Sequence, residues 1–133
     1  MYAIPPSIAH LINRSQASAL RHTLKGEEGQ AIHERLEAVA KVWADMPHTY
    51  QTDGQGKQAV AQIHLFHGST DIWLTEKDID TDGEGQIQAF GLTKMFEVEL
   101  GYVNIPEAVA AGMELDLFWT PKTLGEIRQQ LDA

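Results

Sequence analysis

The spacing of apolar residues changes once along this chain, from a helical period to a period of two. Ile32, Leu36, Val39 and Trp43 follow one another at steps of three or four residues, which is the spacing of one face of an α-helix. From residue 60 onward, apolar residues alternate with polar ones, as in a strand with one buried face. The chain therefore has to pack a helical N-terminal part against a sheet.

This pattern predicts an α+β fold, in which N-terminal helices and a C-terminal helix pack on a mostly antiparallel sheet of about five strands. The predicted strands cover residues 60–66, 72–75, 86–93, 97–103 and 115–119. In the fourth, Val98, Leu100 and Tyr102 alternate with Glu97 and Glu99, so the glutamates are expected on the solvent-facing side. A length of 133 residues suits one domain over 1–133, with a helical portion at 1–46 and a sheet portion at 59–133.

Polar and proline residues mark the ends of the predicted helices. Ser7 and Ser15 are placed to cap the first two helices, and Pro47 ends the long helix that begins near residue 29. Asn104 is the expected cap of a short helix, and Thr123 begins a capping-box pattern before the C-terminal helix.

The net charge of −9 lies entirely in the second half of the chain, from residue 68 onward. An acidic half disfavours direct nucleic-acid binding, which needs a basic surface. The absence of cysteine excludes thiolate catalysis and cysteine-based metal sites. The first residues lack the pattern of a signal peptide and no apolar run is long enough to cross a membrane, so we expect a cytoplasmic protein.

Four segments in the second half occur together in a recognisable order: GSTDIWLTEKD at 68–78, AFGL at 89–92, ELGYV at 99–103 and LDLFWTPKTLGEI at 115–127. Over about residues 64–127 the chain thereby resembles the uncharacterised family called domain of unknown function 2958. The resemblance implies a protein carried by plasmids, phages or integrative elements, often beside anti-restriction and conjugation functions. That family has no assigned catalytic residues, so none is carried over, and the N-terminal helical portion lies outside the resemblance.

Residues 78–83, with the sequence DIDTDG, match the first six positions of a calcium-binding loop. Position twelve is Ala89 rather than the glutamate that closes such a loop, so we interpret the segment as an acidic connection between strands.

His64 and His67 are three apart on a strand, point to opposite faces and cannot share an ion. We expect His64 on the solvent-facing side and His67 in a turn. The sequence thus predicts no catalytic residue, no metal and no cofactor.

The acidic residues are instead the predicted partner-binding surface. Carboxylates a few ångströms apart on a sheet attract a basic protein, and at phosphate-like spacing they can occupy a nucleic-acid-binding groove. The residues of this predicted acidic surface are Asp71, Glu76, Asp78, Asp80, Asp82, Glu84, Glu97, Glu99, Glu114 and Asp116.

These observations predict a non-enzymatic accessory protein of a mobile element that binds a protein partner with a basic surface. Its most specific version is a nucleic-acid mimic that inhibits a host defence system, either restriction or CRISPR. Two alternatives stay open: a small enzyme with a composite histidine–carboxylate site, and a ligand- or calcium-binding module.

Phe66, Phe90 and Phe118 fall on the opposite parity from the main apolar residues, so they form either an exposed aromatic patch or a layer buried by the N-terminal helices.

Overall fold

A computed structural model describes residues 2–48, 55–77 and 88–132 of the chain. Within these ranges, 3₁₀ turns lie at Pro6–Leu11 and Gly56–Gln58. The α-helices are α1 (Arg14–Leu24), α2 (Gly29–Asp45), α3 (Ile105–Ala110) and α4 (Leu124–Asp132). The strands are β1 (Val60–Ala61), β2 (Ile63–His67), β3 (Thr70–Lys77), β4 (Gln88–Lys94), β5 (Val98–Asn104), β6 (Glu114–Leu115) and β7 (Lys122–Thr123).

The main sheet has five strands in the order β5-β4-β3-β2-β6, and every neighbouring pair is antiparallel. This confirms the predicted α+β class. The predicted strand at 60–66 is two strands, because Val60 and Ala61 pair with β7 in a separate two-stranded sheet. The predicted strand at 115–119 is shorter, because Asp116 accepts a hydrogen bond from the backbone N–H of Phe118 at 3.0 Å and turns the chain.

Helices cover parts of both faces of the main sheet. Leu65, Ile72 and Leu74 lie on the first face and pack in one cluster with α1, α2 and the first 3₁₀ turn. Neighbouring residues of a strand point to opposite faces, so Trp73 lies on the second face, directly across from Leu92 of β4. There α4 supplies Leu124 and Ile127, which complete a smaller cluster. The C-terminal helix therefore covers part of the face that the N-terminal helices leave open.

The caps of the helices follow the prediction in part. Asn104 accepts from the N–H of Glu107 at 3.1 Å, and Thr123 accepts from the N–H of Glu126 at 3.2 Å, as predicted. The long helix ends before Pro47, also as predicted.

The predicted caps of the first two helices are wrong. Ser15 lies inside α1, where Asn13 is the cap and accepts from the N–H of Gln16 at 2.7 Å. Ser7 lies inside the first 3₁₀ turn, whose start at Pro5 has no side-chain cap.

Candidate functional site

His64 lies between two carboxylates on the second face of the sheet. Its Nδ1 is 2.8 Å from Oδ2 of Asp116, and its Nε2 is 2.8 Å from Oδ1 of Asp71. The three residues come from β2, β3 and the turn after β6. The His64 side chain is only 13 % exposed, so the prediction that it faces solvent is wrong.

Three aromatic rings cover the imidazole. Trp73 stands directly across the β2–β3 pair and stacks on His64, with centroids 5.5 Å apart and ring planes 12° apart. The rings of Trp119 and Phe66 approach it to 5.0 and 5.8 Å. Trp119 is fixed in turn by a hydrogen bond from its Nε1 to the carbonyl oxygen of Ala61 at 3.0 Å. These rings bury apolar surface against the imidazole and leave it little contact with water.

The donors and acceptors of His64, Asp71 and Asp116 limit the chemistry that this cluster can perform. An ionised carboxylate only accepts, so both contacts exist together when the imidazole carries a hydrogen on each nitrogen. Neither nitrogen is then left to take a proton from a substrate. Asp116 is also committed, because its own N–H donates to the carbonyl oxygen of His64 at 2.9 Å while its Oδ1 holds Phe118. The cluster fastens β2, β3 and the turn after β6 to one another.

The described side chains also offer no metal site. Across residues 2–48, 55–77 and 88–132, no group of three or more His, Asp or Glu side chains is placed to hold a metal ion. The calcium-loop pattern at 78–83 lies outside the described residues and stays a prediction.

The described acidic residues of the predicted surface do not form one row. Asp71 and Asp116 meet at His64. Glu76 lies on the second face across from Phe90 and is 3 % exposed, so its place on an exposed surface is wrong. Burial in this position leaves it out of reach of a protein partner.

The remaining glutamates are far apart. Glu97 and Glu99 are exposed beside and on β5, whereas Glu114 is half-buried on β6. Those strands are the two edges of the five-stranded sheet. At about 4.8 Å per strand, the edges lie about 19 Å apart. Asp78, Asp80, Asp82 and Glu84 lie outside the described residues.

A group of exposed apolar side chains lies on the β4–β5 hairpin. Phe96 is 100 %, Met95 64 %, Tyr102 56 % and Leu100 47 % exposed. Phe90 of β4 is half-buried and meets Tyr102 edge-on, with centroids 5.4 Å apart. We call these five residues the β4–β5 surface.

Sequence reasoning missed this surface. The alternation of Leu100 and Tyr102 with glutamates predicted a buried apolar face, and that prediction is wrong. The cluster built on α4 reaches Leu92 and Val98 of the second face and includes neither Leu100 nor Tyr102. A possible signal was the pair Met95-Phe96, two large apolar residues in a tight hairpin turn.

The three phenylalanines singled out in the sequence do not form a patch of their own. Phe66 packs beside His64, Phe90 beside Tyr102, and Phe118 is exposed with the guanidinium of Arg35 5.1 Å from its ring centre. Burial of all three by the N-terminal helices is also wrong, because those helices pack on the first face whereas Phe66 and Phe90 lie on the second.

No protein-family model, curated protein or solved structure matches this chain. The resemblance over residues 64–127 therefore stays a prediction. Among the described residues, every helix is too short or too polar to traverse a bilayer.

Proposed function

We propose that this chain is a cytoplasmic, non-enzymatic protein-binding module, and that its partner docks on the β4–β5 surface. The observation that carries the proposal is the exposure of Met95, Phe96, Leu100 and Tyr102 on one hairpin. Scattered apolar residues are normal on a protein surface, but several large ones concentrated on one hairpin are typical of an interaction site. Aromatic residues and methionine are also the types enriched at interface centres.

The two edges of the main sheet differ, and the difference supports docking on the β4–β5 surface. At the β6 edge, the side-chain amide of Gln16 bonds both the carbonyl oxygen and the N–H of Leu115, each at 2.9 Å, and so occupies the edge as a strand would. In the described part of the chain β5 pairs with β4 alone. Its sequence VELGYVN contains no Lys or Pro, two residues that commonly protect an edge, and Glu99 is its one charged residue. An extended segment of a partner could add to β5 as a further strand.

The charges beside this surface define the partner. Glu97 and Glu99 are exposed on the same hairpin, and alternation along β5 places Glu99 on the face opposite to Leu100 and Tyr102. A partner that docks on the apolar residues and reaches around the β5 edge would therefore meet these glutamates with Lys or Arg at its rim. The proposed partner is still basic, as predicted, but among the described acidic residues only Glu97 and Glu99 would contact it.

The defence-inhibitor version is a narrower proposal. A nucleic-acid mimic needs carboxylates in a row, and the described ones are separated or paired with His64. That version therefore rests on Asp78, Asp80, Asp82 and Glu84 and on the mobile-element resemblance. An inhibitor that blocks its target through the β4–β5 surface needs no mimicry.

Affinity capture with tagged protein from a bacterial host lysate, followed by mass spectrometry, identifies the partner. The test is the affinity of that purified partner for two matched variants. We expect Phe96→Ser with Leu100→Thr to raise Kd by at least tenfold, because exposed apolar anchors dominate such interfaces. Phe118→Ser, which removes an exposed aromatic ring elsewhere, should leave Kd within twofold.

Charge reversal tests the rim separately. Glu97→Lys with Glu99→Lys should weaken binding most at low salt, where screening is least. The control, Glu27→Lys with Glu28→Lys, makes the same charge change on exposed residues before α2. Unchanged Kd in both β4–β5 variants would show that the partner binds elsewhere.

A further inference from the structure

A hollow of about 840 Å³ lies between the N-terminal segment and α1. Ile4, Ile12 and Leu24 contribute to its apolar lining, and Arg14, Arg21 and Lys25 are the charged residues that line it. Its volume falls within the range of small-ligand sites, about 300 to 1,000 Å³. Apolar walls with a few charged groups of one sign are typical of a site for an amphipathic ligand.

The three cations are arranged on one face of α1. At 100° per residue, positions 14, 21 and 25 fall within about 40° of each other around the helix axis. Leu24 lies about 60° further round on the side that faces the hollow, so the cationic stripe borders the apolar wall. The charges and the apolar surface are therefore available to the same ligand.

These cations have no ion-pair partner in the part of the chain that the structure describes. Within the described ranges, none of Arg14, Arg21 and Lys25 takes part in an ion pair, and no Asp or Glu lines the hollow. All three are exposed. In a chain with a net charge of −9, they make this hollow a local positive region.

We propose that the hollow binds a single-chain amphiphile with an anionic head group, of the fatty-acid class. Arg21 and Lys25 are one helical turn apart, about 6 Å along the axis, and can both donate to one carboxylate. The alkyl tail lies along Ile4, Ala9 and Ala17, which are half-buried or exposed on the wall of the hollow, and it covers what Ile12 and Leu24 still expose. Arg14 is two turns from Arg21, about 10 Å away along the axis, and adds to the field without contacting the same head group.

Isothermal titration with sodium dodecanoate below its micellar concentration tests the proposal. We expect one dodecanoate per chain, and a dissociation constant at least tenfold weaker for Arg21→Gln with Lys25→Gln. Lys41→Gln with Lys57→Gln removes the same charge from exposed positions outside the hollow and should leave the affinity within twofold. Ala9→Phe, at an exposed position on the wall, should fill the hollow and weaken binding without lowering Tm.

Two further ligands separate the head group from the tail and the monomer from a membrane. Dodecyl maltoside, which has the same tail and a neutral head, should bind at least tenfold more weakly than dodecanoate. Equal binding of the two detergents, or equal dodecanoate affinity in the wild type and the Arg21→Gln, Lys25→Gln variant, would overturn the proposal. Binding to phosphatidylglycerol vesicles without binding of monomeric dodecanoate would also overturn it, in favour of a membrane-surface site.

Discussion

Replacing the imidazole of His64 by a ring without nitrogen would leave the carboxylates of Asp71 and Asp116 without the donor they share. The aromatic packing against Trp73 would largely survive, because a phenyl ring has a similar size and can stack in the same place. Both carboxylate side chains are about a quarter exposed, at 26 % and 25 %, so water would compensate for part of the loss. The cost is then set by two charge-assisted hydrogen bonds with partial solvent compensation.

We predict that His64→Phe lowers the free energy of unfolding by about 2 kcal/mol in urea at pH 7. The control His22→Phe, at an exposed position on α1, should change it by less than about 0.5 kcal/mol. If the two variants are equally stable, the cluster does not fasten the three parts of the chain that it joins.

His10 gives the chain a dependence of stability on pH. Its ring meets Trp43 edge-on at 4.8 Å, and its Nε2 is buried without a hydrogen-bond partner among the described residues. This burial lowers the pKa of His10 below the ordinary value of 6.5. The folded state therefore binds a proton less readily than the unfolded state, and stability falls as pH falls through 6.5.

The titration of His10 can be isolated by comparing the wild type with His10→Gln from pH 8 to pH 5. The difference in free energy of unfolding between them should be constant above pH 7.5 and should shift against the wild type below pH 6.5. A difference that is independent of pH over this range would contradict the assigned pKa direction.

At the scale of elements, α1 is tied by its cap to the turn between α3 and β6. The side chain of Asn13 accepts from the N–H of Gln16, and its Nδ2 donates to the carbonyl oxygens of Gly112 and Met113 at 3.3 and 3.0 Å. One side chain thus begins a helix and holds the turn after α3.

We predict that Asn13→Ala costs about 2 kcal/mol of stability, the upper end for loss of a cap, because the contacts to the turn are lost too. Ser15→Ala should be neutral or slightly stabilising, since Ser15 lies inside the helix where alanine is the better helix former. Thermal or urea unfolding distinguishes the two. A larger loss for Ser15→Ala would restore the cap that the sequence suggested.

Sequence patterns predicted the elements whose signals are local. Asn104 and Thr123 act within three residues of themselves, and the steps of the α2 seam are set by helix geometry alone. Asn13 and Ser15 are both good capping residues, and what distinguishes them is the long-range contact to the turn near Gly112. Alternation along β5 specifies two faces but not what covers each, so the exposure of Leu100 could not be predicted.

The candidate sites could not be predicted for the same reason, because they depend on contacts between residues that are far apart in the sequence. The sequence separates His64 from Asp116 by 52 positions, and only the pairing of β2 with β6 brings them together. The acidic half of the chain was visible, but its division between a buried residue, a histidine cluster and two opposite sheet edges depends on strand order.

On the scale of the whole molecule, charge and apolar exposure are distributed over distinct surfaces. The N-terminal helices present the cationic hollow, and the outer hairpin of the sheet presents apolar residues beside Glu97 and Glu99. A protein partner and an amphiphilic ligand would therefore use different residues. Variants of one surface should leave binding at the other unchanged, which makes the two proposals separable in one set of proteins.

Hydrogen exchange followed by mass spectrometry, with and without the captured partner, tests the β4–β5 surface most directly. Among the described residues β5 pairs with β4 alone, so a partner docked on the β4–β5 surface would cover amides of both strands. We predict that the partner slows exchange in peptides covering residues 88–104 and leaves those of α1 and α2 unchanged. Slowed exchange confined to α1 and α2, with none over 88–104, would contradict the proposed docking surface.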